Sequence, residues 1–270
     1  MAEIFADFST DALKRVIDHN LIARTLNFSR LLGGEIHPHN PAWFVTGETL
    51  PKFNGIVHAT LSPDEIDRQI VAALRPFKEL NQPVTWWVGP TSEPSNLRKQ
   101  LQQQHGFHHN RDMIGMATDL EKLTLPKPAP PLTFAPVRDR EKLEEWYEVL
   151  LEGFPLKYDQ QYLDALAATS LDVPEEQAMH HYVGEIAGRT VAISSLSFGA
   201  GVAGLYNLTT LPQAREHGIG AWMTVRTYFE ARARGYRVGT LQTTYPNALR
   251  MYHRLGFEVY CKISIYRRPA

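Results

Sequence analysis

The stretch Leu211-Pro-Gln-Ala-Arg-Glu-His-Gly-Ile-Gly220 separates a strand pattern, Ala203–Thr210, from the apolar spacing of a long helix, Gly218–Arg234. Its two glycines allow the backbone to approach a ligand closely. The first turn of a helix leaves several N–H groups unpaired, and the helix dipole favours an anion at that end. The stretch therefore predicts an anion-binding loop, to which Arg215 adds a cation.

A second glycine-rich run, Gly199-Ala-Gly-Val-Ala-Gly204, has the spacing of a dinucleotide-binding loop. A strand pattern follows it instead of the helix that such a loop must open, so the run predicts a hairpin. The loop at 211–220 does not fit a nicotinamide dinucleotide either. Met223 stands where a small residue is needed, and no acidic residue ends the next strand, Val238–Thr243. The loop at 211–220 therefore suits a pyrophosphate outside a Rossmann fold.

A proline-rich run divides the chain. Four prolines within residues 126–131 exclude a helix interior and a central strand, which indicates an extended linker. We therefore expect domains at 1–125 and 132–270. Each half ends in a strand, a helix opened by proline, a Gly-Phe pair and a final strand, with the pairs at Gly106-Phe107 and Gly256-Phe257. This repeated pattern favours a tandem duplication, although glycine at a helix end is common in unrelated segments.

The second half predicts the element order β-α-α-β-β-β-α-β-α-β from its periodicity and its Gly and Pro positions. Asp139 is the expected N-cap of the first of these helices. In the first half, we expect a helix over Thr10–Leu32, strands over Ala42–Thr46 and Phe53–Thr60, and a helix over Pro63–Leu80.

Composition narrows the class of protein. With 28 Lys and Arg against 29 Asp and Glu, the chain has no basic field to attract nucleic acid. The single cysteine, Cys261, excludes an internal disulfide, and the histidines lack the spacing of a metal site. Residues 1–10 do not resemble a signal peptide, and no apolar run is long enough to span a membrane. We expect a cytoplasmic monomer or homodimer with no metal, nucleic-acid or membrane partner.

Two motifs in order resemble those of one family. Arg215-x-x-Gly218-x-Gly220 is similar to the coenzyme A pyrophosphate loop of the GNAT superfamily of N-acyltransferases, Q/R-x-x-G-x-G/A. Downstream, Asn247-Ala248-x-x-x-Tyr252-x-x-x-Gly256-Phe257 resembles the second GNAT motif, N-x-x-A-x-x-x-Y-x-x-x-G-F. Each motif lies in the expected strand–helix context, and the resemblance covers roughly 132–268.

The resemblance implies an α/β (α+β) fold with two GNAT-like domains, each a mixed, mostly antiparallel sheet flanked by helices. In the second domain, strands 4 and 5 would splay apart to admit the pantetheine arm of acetyl-CoA, the implied cosubstrate. Residues 215–221 would hold its pyrophosphate. The implied contacts with acetyl-CoA are Leu208, Thr209, Thr210, Arg215, Glu216, His217, Gly218, Ile219, Gly220, Ala221, Asn247 and Tyr252.

The first half lacks both chemical signatures. The chain reads Thr60-Leu-Ser-Pro-Asp-Glu before the Pro63 helix, without the glycine loop, and Gln102 stands where the second half has Tyr252. We therefore expect a degenerate, non-catalytic GNAT-like domain that supports the active one or walls its acceptor cleft.

The implied reaction is direct attack of an amine on the thioester, and Tyr252 is the expected general acid for the leaving thiolate. A backbone N–H near Leu208 would stabilise the oxyanion. Glu185 and Asn207 are candidates for the amine base, and water relayed to a carbonyl is an alternative. Acceptor contacts are expected from Tyr206 and Leu151–Asp164.

The acceptor stays open between a small-molecule amine and a peptide, because the loop recognises only phosphates. For the same reason, a longer acyl group or a non-enzymatic acyl-CoA sensor remains an alternative to acetyl transfer.

Overall fold

Two parallel strand pairs, each connected through a helix, stand out in the computed structural model among strands that are otherwise mostly antiparallel. The structure describes residues 3–31, 33–46, 54–127, 131–154, 159–174 and 178–270. The chain divides into two units. The N-unit consists of Ser9–Gly115 and Val259–Ala270, and the C-unit of residues 3–8 and Met116–Glu258.

The N-unit has the strand order β1-β2-β3-β4-β11-β5. Its β3–β4 pair is parallel, and its β1–β2, β2–β3 and β4–β11 pairs are antiparallel. One buried cluster includes Trp86, Phe77 and Phe107, all at most 2% exposed. Its elements are α1 (Thr10–Leu31), β1 (Glu35–His37), β2 (Ala42–Val45), β3 (Asn54–His58), α2 (Ile66–Glu79), β4 (Val84–Val88), α3 (Leu97–Gln104), the first part of β5 (His108–Asp119) and β11 (Glu258–Arg268) from Val259.

The C-unit has the strand order β5-β10-β9-β8-β7-β6, with β5 represented by residues 116–119. The β9–β10 pair is parallel, and the pairs from β6 to β9 are antiparallel. The order of elements thus repeats that of the N-unit around its parallel pair. Its elements are β6 (Thr133–Pro136), α4 (Arg140–Gly153), α5 (Gln160–Ser170), β7 (His180–Ile186), β8 (Arg189–Gly199), β9 (Val202–Thr210), α6 (Ile219–Ala233), β10 (Val238–Thr243) and α7 (Pro246–Arg254).

The structure confirms the predicted fold class, a mixed and mostly antiparallel sheet flanked by helices. The element order predicted for the second half is also observed, and Asp139 caps α4 by accepting a hydrogen bond from the Lys142 N–H at 2.8 Å. The run at 199–204 is a hairpin turn, with Ala200 and Gly201 both at positive φ. In the first half, the Pro63 segment begins as a 3₁₀ turn before α2.

The units do not follow the division at residues 126–131. Within β5, residues from Met116 onward belong to the C-unit, whereas Val259–Ala270 belong to the N-unit, where β11 pairs with β4. The physical reason is strand pairing over a long sequence separation, which a local composition signal does not reveal. Of the proline-rich run itself, residues 128–130 lie outside the described residues.

The pairing of β11 with β4 predicts that Ile265→Ala destabilises the N-unit. Ile265 is 3% exposed and pairs with Trp87, so truncation should lower the free energy of unfolding by about 3 kcal/mol. Denaturant unfolding measures the loss, and hydrogen exchange of the Val84–Val88 amides should quicken. Val259→Ala, at a position that is 47% exposed on the same strand, should change stability by less than about 0.5 kcal/mol. Equal effects of the two variants would contradict this strand pairing.

Candidate functional site

Strands β9 and β10 separate toward their carboxyl ends. Parallel pairing joins Gly239, Thr240 and Leu241 to Ala203, Gly204 and Leu205. The pairing ends at Leu205 and Leu241, although both strands are described in full and continue to Thr210 and Thr243. On its other side, β9 stays paired with β8 as far as Thr210. The two strands therefore diverge into a wedge, along which main-chain groups of β9 can bind an extended ligand.

A β-bulge in β9 lies at the mouth of this wedge. Ile193 pairs with Thr209 and Ser195 pairs with Tyr206, so β9 has one residue more than β8 between these two pairs. Asn207, inside the bulge, has a φ of 54°. Asn is one of the few residues with a side chain that adopt this left-handed region readily. Because a bulge bends its strand and turns main-chain groups out of the ladder, it accounts for the departure of β9 from β10.

The loop after β9 ends in a glycine N-cap for α6. Gly218 has a φ of 74°, and the first helical hydrogen bond runs from the Trp222 N–H to the Gly218 carbonyl at 3.0 Å. The N–H groups of residues 219–221 precede that bond and are oriented along the helix axis toward the loop. Ile219 is buried and anchors the turn, whereas residues 215–218 are exposed. This arrangement suits an anion at the amino end of α6.

Arg215 is tied to the end of β9. Its Nε donates a hydrogen bond to the Thr210 carbonyl at 3.0 Å, and its own carbonyl accepts from His217 Nδ1 at 2.7 Å. A guanidinium has five N–H donors, so the remaining ones can bind a phosphate beside the helix terminus. The loop therefore holds a cation at a fixed place between β9 and α6.

Gly220 marks the point at which three elements of the C-unit meet. A Cβ added there would lie 3.5 Å from Met251 Sδ on α7 and 3.7 Å from Thr210 Oγ1 on β9. Both are ordinary van der Waals distances, so the protein itself leaves room for a small side chain at this position. The start of α6, the end of β9 and the middle of α7 thus border one small space.

Tyr252, next to Met251 on α7, is 6% exposed. Burial raises the pKa of its hydroxyl well above the ordinary value, so the phenol is neutral at physiological pH. No hydrogen bond joins that hydroxyl to another residue in the described part of the chain. Burial also raises the pKa of Tyr228, and the proximity of Tyr252 and Tyr206 adds to that shift. The rings of Tyr228 and Tyr252 both pack against Phe257, with centroid distances of 5.6 and 5.7 Å.

Comparison with known proteins assigns a family to the segment that contains the bulge, the loop, α6 and α7. The sequence model described as "Acetyltransferase (GNAT) family" matches residues 143–257, which carry the bulge, the loop, α6 and α7. Residues 143–257 belong to this family. A search of curated proteins finds no match to the chain.

Solved structures show that the likeness in fold extends beyond residues 143–257, which we call the GNAT domain. A GCN5-related N-acetyltransferase from Kribbella flavida matches 93% of this chain and 96% of its own, with a TM-score of 0.73 and 19% identity. One from Sphaerobacter thermophilus matches 84% and 76%, with a TM-score of 0.61 and 18% identity. A tandem GNAT protein from the clavulanic acid biosynthesis pathway matches 87% and 78%, with a TM-score of 0.58 and 13% identity. At these identities, the likeness shows the fold and not the activity.

Several residues singled out from the sequence come together in the GNAT domain. Leu208, Thr209 and Thr210 lie on β9 beyond its pairing with β10, and Thr210 contacts both Arg215 and the space beside Gly220. Asn247 is exposed in the first turn of α7, where its Oδ1 accepts a hydrogen bond from Arg250. It directly precedes Ala248, whereas the asparagine of the family motif stands three residues before the alanine.

Glu185 lies away from this group of residues. It lies on β7 and pairs with Thr190 on β8. Strand β7 is two strands from β9, which is a separation of about 10 Å. Its carboxylate forms an ion pair with Lys142 at 2.9 Å. Hydrogen bonds to Glu145 and then Glu185 raise the pKa of Lys142 above its ordinary value. The carboxylate of Glu185 is thus held by a cation rather than directed into the wedge.

The carboxyl end of α4 packs against β9. A Cβ at Gly153 would lie 2.1 Å from Thr209 Cγ2, so only glycine allows this approach. Tyr147 fixes the start of α5, because the Asp159 N–H donates to its hydroxyl at 3.2 Å. The predicted acceptor region at 151–164 therefore begins beside the bulged strand, although residues 155–158 lie outside the described residues.

Sequence reasoning missed two buried polar residues, His181 and Ser195. His181 Nδ1 lies 2.7 Å from Ser195 Oγ, and Asn207 Nδ2 donates to the same oxygen at 3.2 Å. The available signal was a pair of adjacent polar residues, His180-His181 or Ser194-Ser195, within each of two strands. Such a pair in a buried strand indicates a hydrogen-bonded network.

The remaining features concern metal ligands, the single cysteine and membrane-spanning helices. No group of three or more His, Cys, Asp and Glu among them could hold a metal ion. Cys261 is half-buried, and burial raises the pKa of its thiol to about 12. No helix in the described ranges is both long and apolar enough to cross a membrane.

The left-handed backbone of Gly218 predicts that a side chain at this position is destabilising. Gly218→Ala should lower the free energy of unfolding by about 1–2 kcal/mol, because a Cβ disfavours a φ of 74°. Gly188, in the β7–β8 turn, is a matched control with a φ of 77°, and neither glycine has an atom within 4 Å of an added Cβ. Denaturant unfolding should give similar losses for Gly218→Ala and Gly188→Ala. A neutral Gly218→Ala beside a destabilising Gly188→Ala would show that the loop has another conformation.

Proposed function

We propose that the protein is an N-acetyltransferase that transfers the acetyl group of acetyl-CoA to an amine. The observation that carries the proposal is the junction at Gly220, where the amino end of α6, the end of β9 and α7 meet. That junction joins an anion site to an open strand edge and to a buried neutral phenol. An acyl-CoA needs these three features in that order, for its pyrophosphate, its pantetheine arm and its sulfur.

The residues present fit such a cosubstrate. The helix N–H groups of residues 219–221 and the guanidinium of Arg215 are donors suited to a pyrophosphate. The edge of β9 beyond Leu205 presents N–H and C=O groups at strand spacing, which suits the two amides of pantetheine. The loop recognises phosphates and not the acyl group, so the acetyl assignment rests on the family.

The proposed chemistry is one direct transfer. The amine nitrogen attacks the thioester carbon, a tetrahedral oxyanion forms, and the carbon–sulfur bond then breaks. An N–H turned out of the ladder at the bulge, near Leu208, would stabilise the oxyanion. Holding the two reactants in contact supplies much of the rate acceleration.

Tyr252 supplies the proton that the departing sulfur needs. Because burial keeps its phenol neutral, it donates a hydrogen bond as negative charge develops on sulfur. A free thiol is the stronger acid of the two, so complete transfer is balanced by the proton that the amine releases to solvent, which restores the phenol. Glu185, held by Lys142, is poorly placed as the amine base, and water serves that role in this proposal.

The N-unit is proposed to be a degenerate, non-catalytic relative of the GNAT domain. Where β3 and β4 would part, the Glu93 N–H donates to the Ala59 carbonyl at 2.8 Å and the Leu61 N–H to the Glu93 carbonyl at 2.9 Å. These bonds close the edge on which pantetheine would lie. Asp64 and Glu65 in the turn that precedes α2 would repel a pyrophosphate. One acyl-CoA site per chain is therefore expected.

Tyr252→Phe should lower kcat by about 100-fold, because it removes the only proposed proton donor to sulfur. KM for acetyl-CoA should stay within about threefold, since the hydroxyl acts mainly in the transition state. Thiol release from acetyl-CoA with a panel of primary amines measures both constants.

Tyr228→Phe is the matched control, because that buried hydroxyl donates to the Thr240 carbonyl at 2.7 Å. It should cost about 1 kcal/mol of stability with little change in kcat. A Tyr252→Phe enzyme with unchanged kcat would exclude the assigned role.

Gly220→Asp should weaken coenzyme A binding by at least about 100-fold, because a carboxylate near 4 Å from a phosphate repels it by about 4 kcal/mol at the effective dielectric of a protein surface. Gly220→Ala should bind nearly as well as the wild type, since the space at Gly220 accepts a Cβ. Isothermal calorimetry with coenzyme A measures both. Binding retained by Gly220→Asp would refute the site, whereas binding without turnover of any amine would indicate an acyl-CoA sensor.

A further inference from the structure

Three polar side chains form a line across neighbouring strands of the GNAT domain. His181 on β7 pairs in register with Ser195 on β8, which pairs with Tyr206, the neighbour of Asn207 on β9. Asn207 Nδ2 donates to Ser195 Oγ at 3.2 Å, and Ser195 Oγ lies 2.7 Å from His181 Nδ1. His181 and Ser195 are at most 2% exposed, whereas Asn207 is half-buried in the bulge. The line therefore runs from the interior of the sheet to the mouth of the wedge.

One of the two hydrogen bonds at Ser195 Oγ has a fixed direction. The Asn207 NH₂ group can only donate, so Ser195 Oγ accepts from it, whereas the direction of the bond to His181 Nδ1 follows the tautomer of the imidazole. Asn207 faces Ser195 with its NH₂ group, so its Oδ1 points away from the network. The opposite amide orientation would require His181 Nδ1 to carry a proton.

Packing holds the inner end of the line in place. The His181 ring lies 4.3 Å from the Trp146 ring, centroid to centroid, and Trp146 Nε1 donates to the Ser194 carbonyl at 3.2 Å. At the outer end, the left-handed backbone of Asn207 fixes the direction in which its side chain leaves the strand. The buried hydrogen bonds to Ser195 therefore hold the Asn207 carboxamide in one place beside the wedge, with Nδ2 toward the network.

We propose that Asn207 Oδ1 binds the acceptor by accepting a hydrogen bond from its attacking amine, and that Ser195 and His181 are positioning residues for that carboxamide. The inference rests on the proposed function and names the acceptor class as primary amines. A primary amine can donate one N–H to Oδ1 while its lone pair faces the thioester. A carboxamide oxygen does not take up the proton at neutral pH, so Asn207 orients the nucleophile and is not its base.

Three substitutions test the line, each at a different point. Asn207→Gly removes the amide and suits a φ of 54°. Ser195→Ala removes the hydroxyl that holds the carboxamide, and His181→Leu removes the hydrogen-bond partner of that hydroxyl. Each should raise KM for the amine by about 10-fold, the effect of losing or misdirecting one hydrogen bond. KM for acetyl-CoA should stay within about threefold.

Two controls separate positioning from general destabilisation. Ser194 is equally buried and its Oγ lies 2.6 Å from Thr227 Oγ1, so Ser194→Ala loses a buried hydrogen bond of the same kind outside the line. It should lose stability like Ser195→Ala without a change in KM for the amine. His181→Asn keeps a polar group that can donate to or accept from Ser195 Oγ, so it should recover most of the amine affinity that His181→Leu loses.

The measurements are steady-state kinetics with tyramine, lysine and a glycine-initiated peptide, together with calorimetry of coenzyme A. A rise in amine KM for the three variants, with recovery in His181→Asn and none in Ser194→Ala, supports the inference. Equal effects of Ser195→Ala and Ser194→Ala, or an unchanged amine KM in Asn207→Gly, overturn it and leave the proposed function standing. If coenzyme A binds the wild type but no primary amine is acetylated, the inference is also overturned. Failure of the wild type to bind coenzyme A overturns the proposed function itself.

Discussion

Parallel pairing between β9 and β10 ends at Leu205 and Leu241, whereas β9 continues to pair with β8 past the bulge at Asn207 as far as Thr210. The other parts of the candidate site depend on this divergence. It exposes the main chain of β9 as an edge, and it places Thr210 beside the start of α6. A sheet that stayed paired along both strands would leave the helix terminus as an anion site without access for an attached chain. The divergence therefore joins two ordinary features, a strand edge and a helix terminus, into one continuous surface that suits an extended ligand.

The N-unit shows what the same order of elements does without the divergence. Its β3–β4 pair has the same parallel pairing and the same helical crossover through α2. There, the chain after β4 returns to β3 through the hydrogen bonds of Glu93 with Ala59 and Leu61. Asp18 of α1 reinforces the returning segment, because its buried carboxylate accepts from the Thr91 N–H at 3.0 Å and from the Thr91 hydroxyl. A closed edge, and not a different architecture, distinguishes this unit.

Much of the fold could be predicted because its signals are local. Gly235 and Pro246 mark helix and strand ends within a few residues, and the Arg215–Gly220 spacing indicates a helix terminus prepared for an anion. The pairing of β11 with β4 could not be predicted, since hydrogen bonds between residues 84–88 and 264–268 leave no local trace. The network of His181, Ser195 and Asn207 was missed for the same reason. Its members are neighbours only after β7, β8 and β9 pair, and a register shift of one residue between these strands would separate them.

The position of β11 has a consequence for biosynthesis. The N-unit contains the early part of the chain and also its last strand, which pairs with β4. During translation, the ribosome releases Val84–Val88 long before residues 259–268, and the whole GNAT domain is synthesised in between. Until β11 arrives, β4 is the outer strand of an incomplete sheet and can pair with other chains. The N-unit, most of which is synthesised before the GNAT domain, is thus completed after it, and the nascent protein carries an open strand edge until residues 259–268 are made.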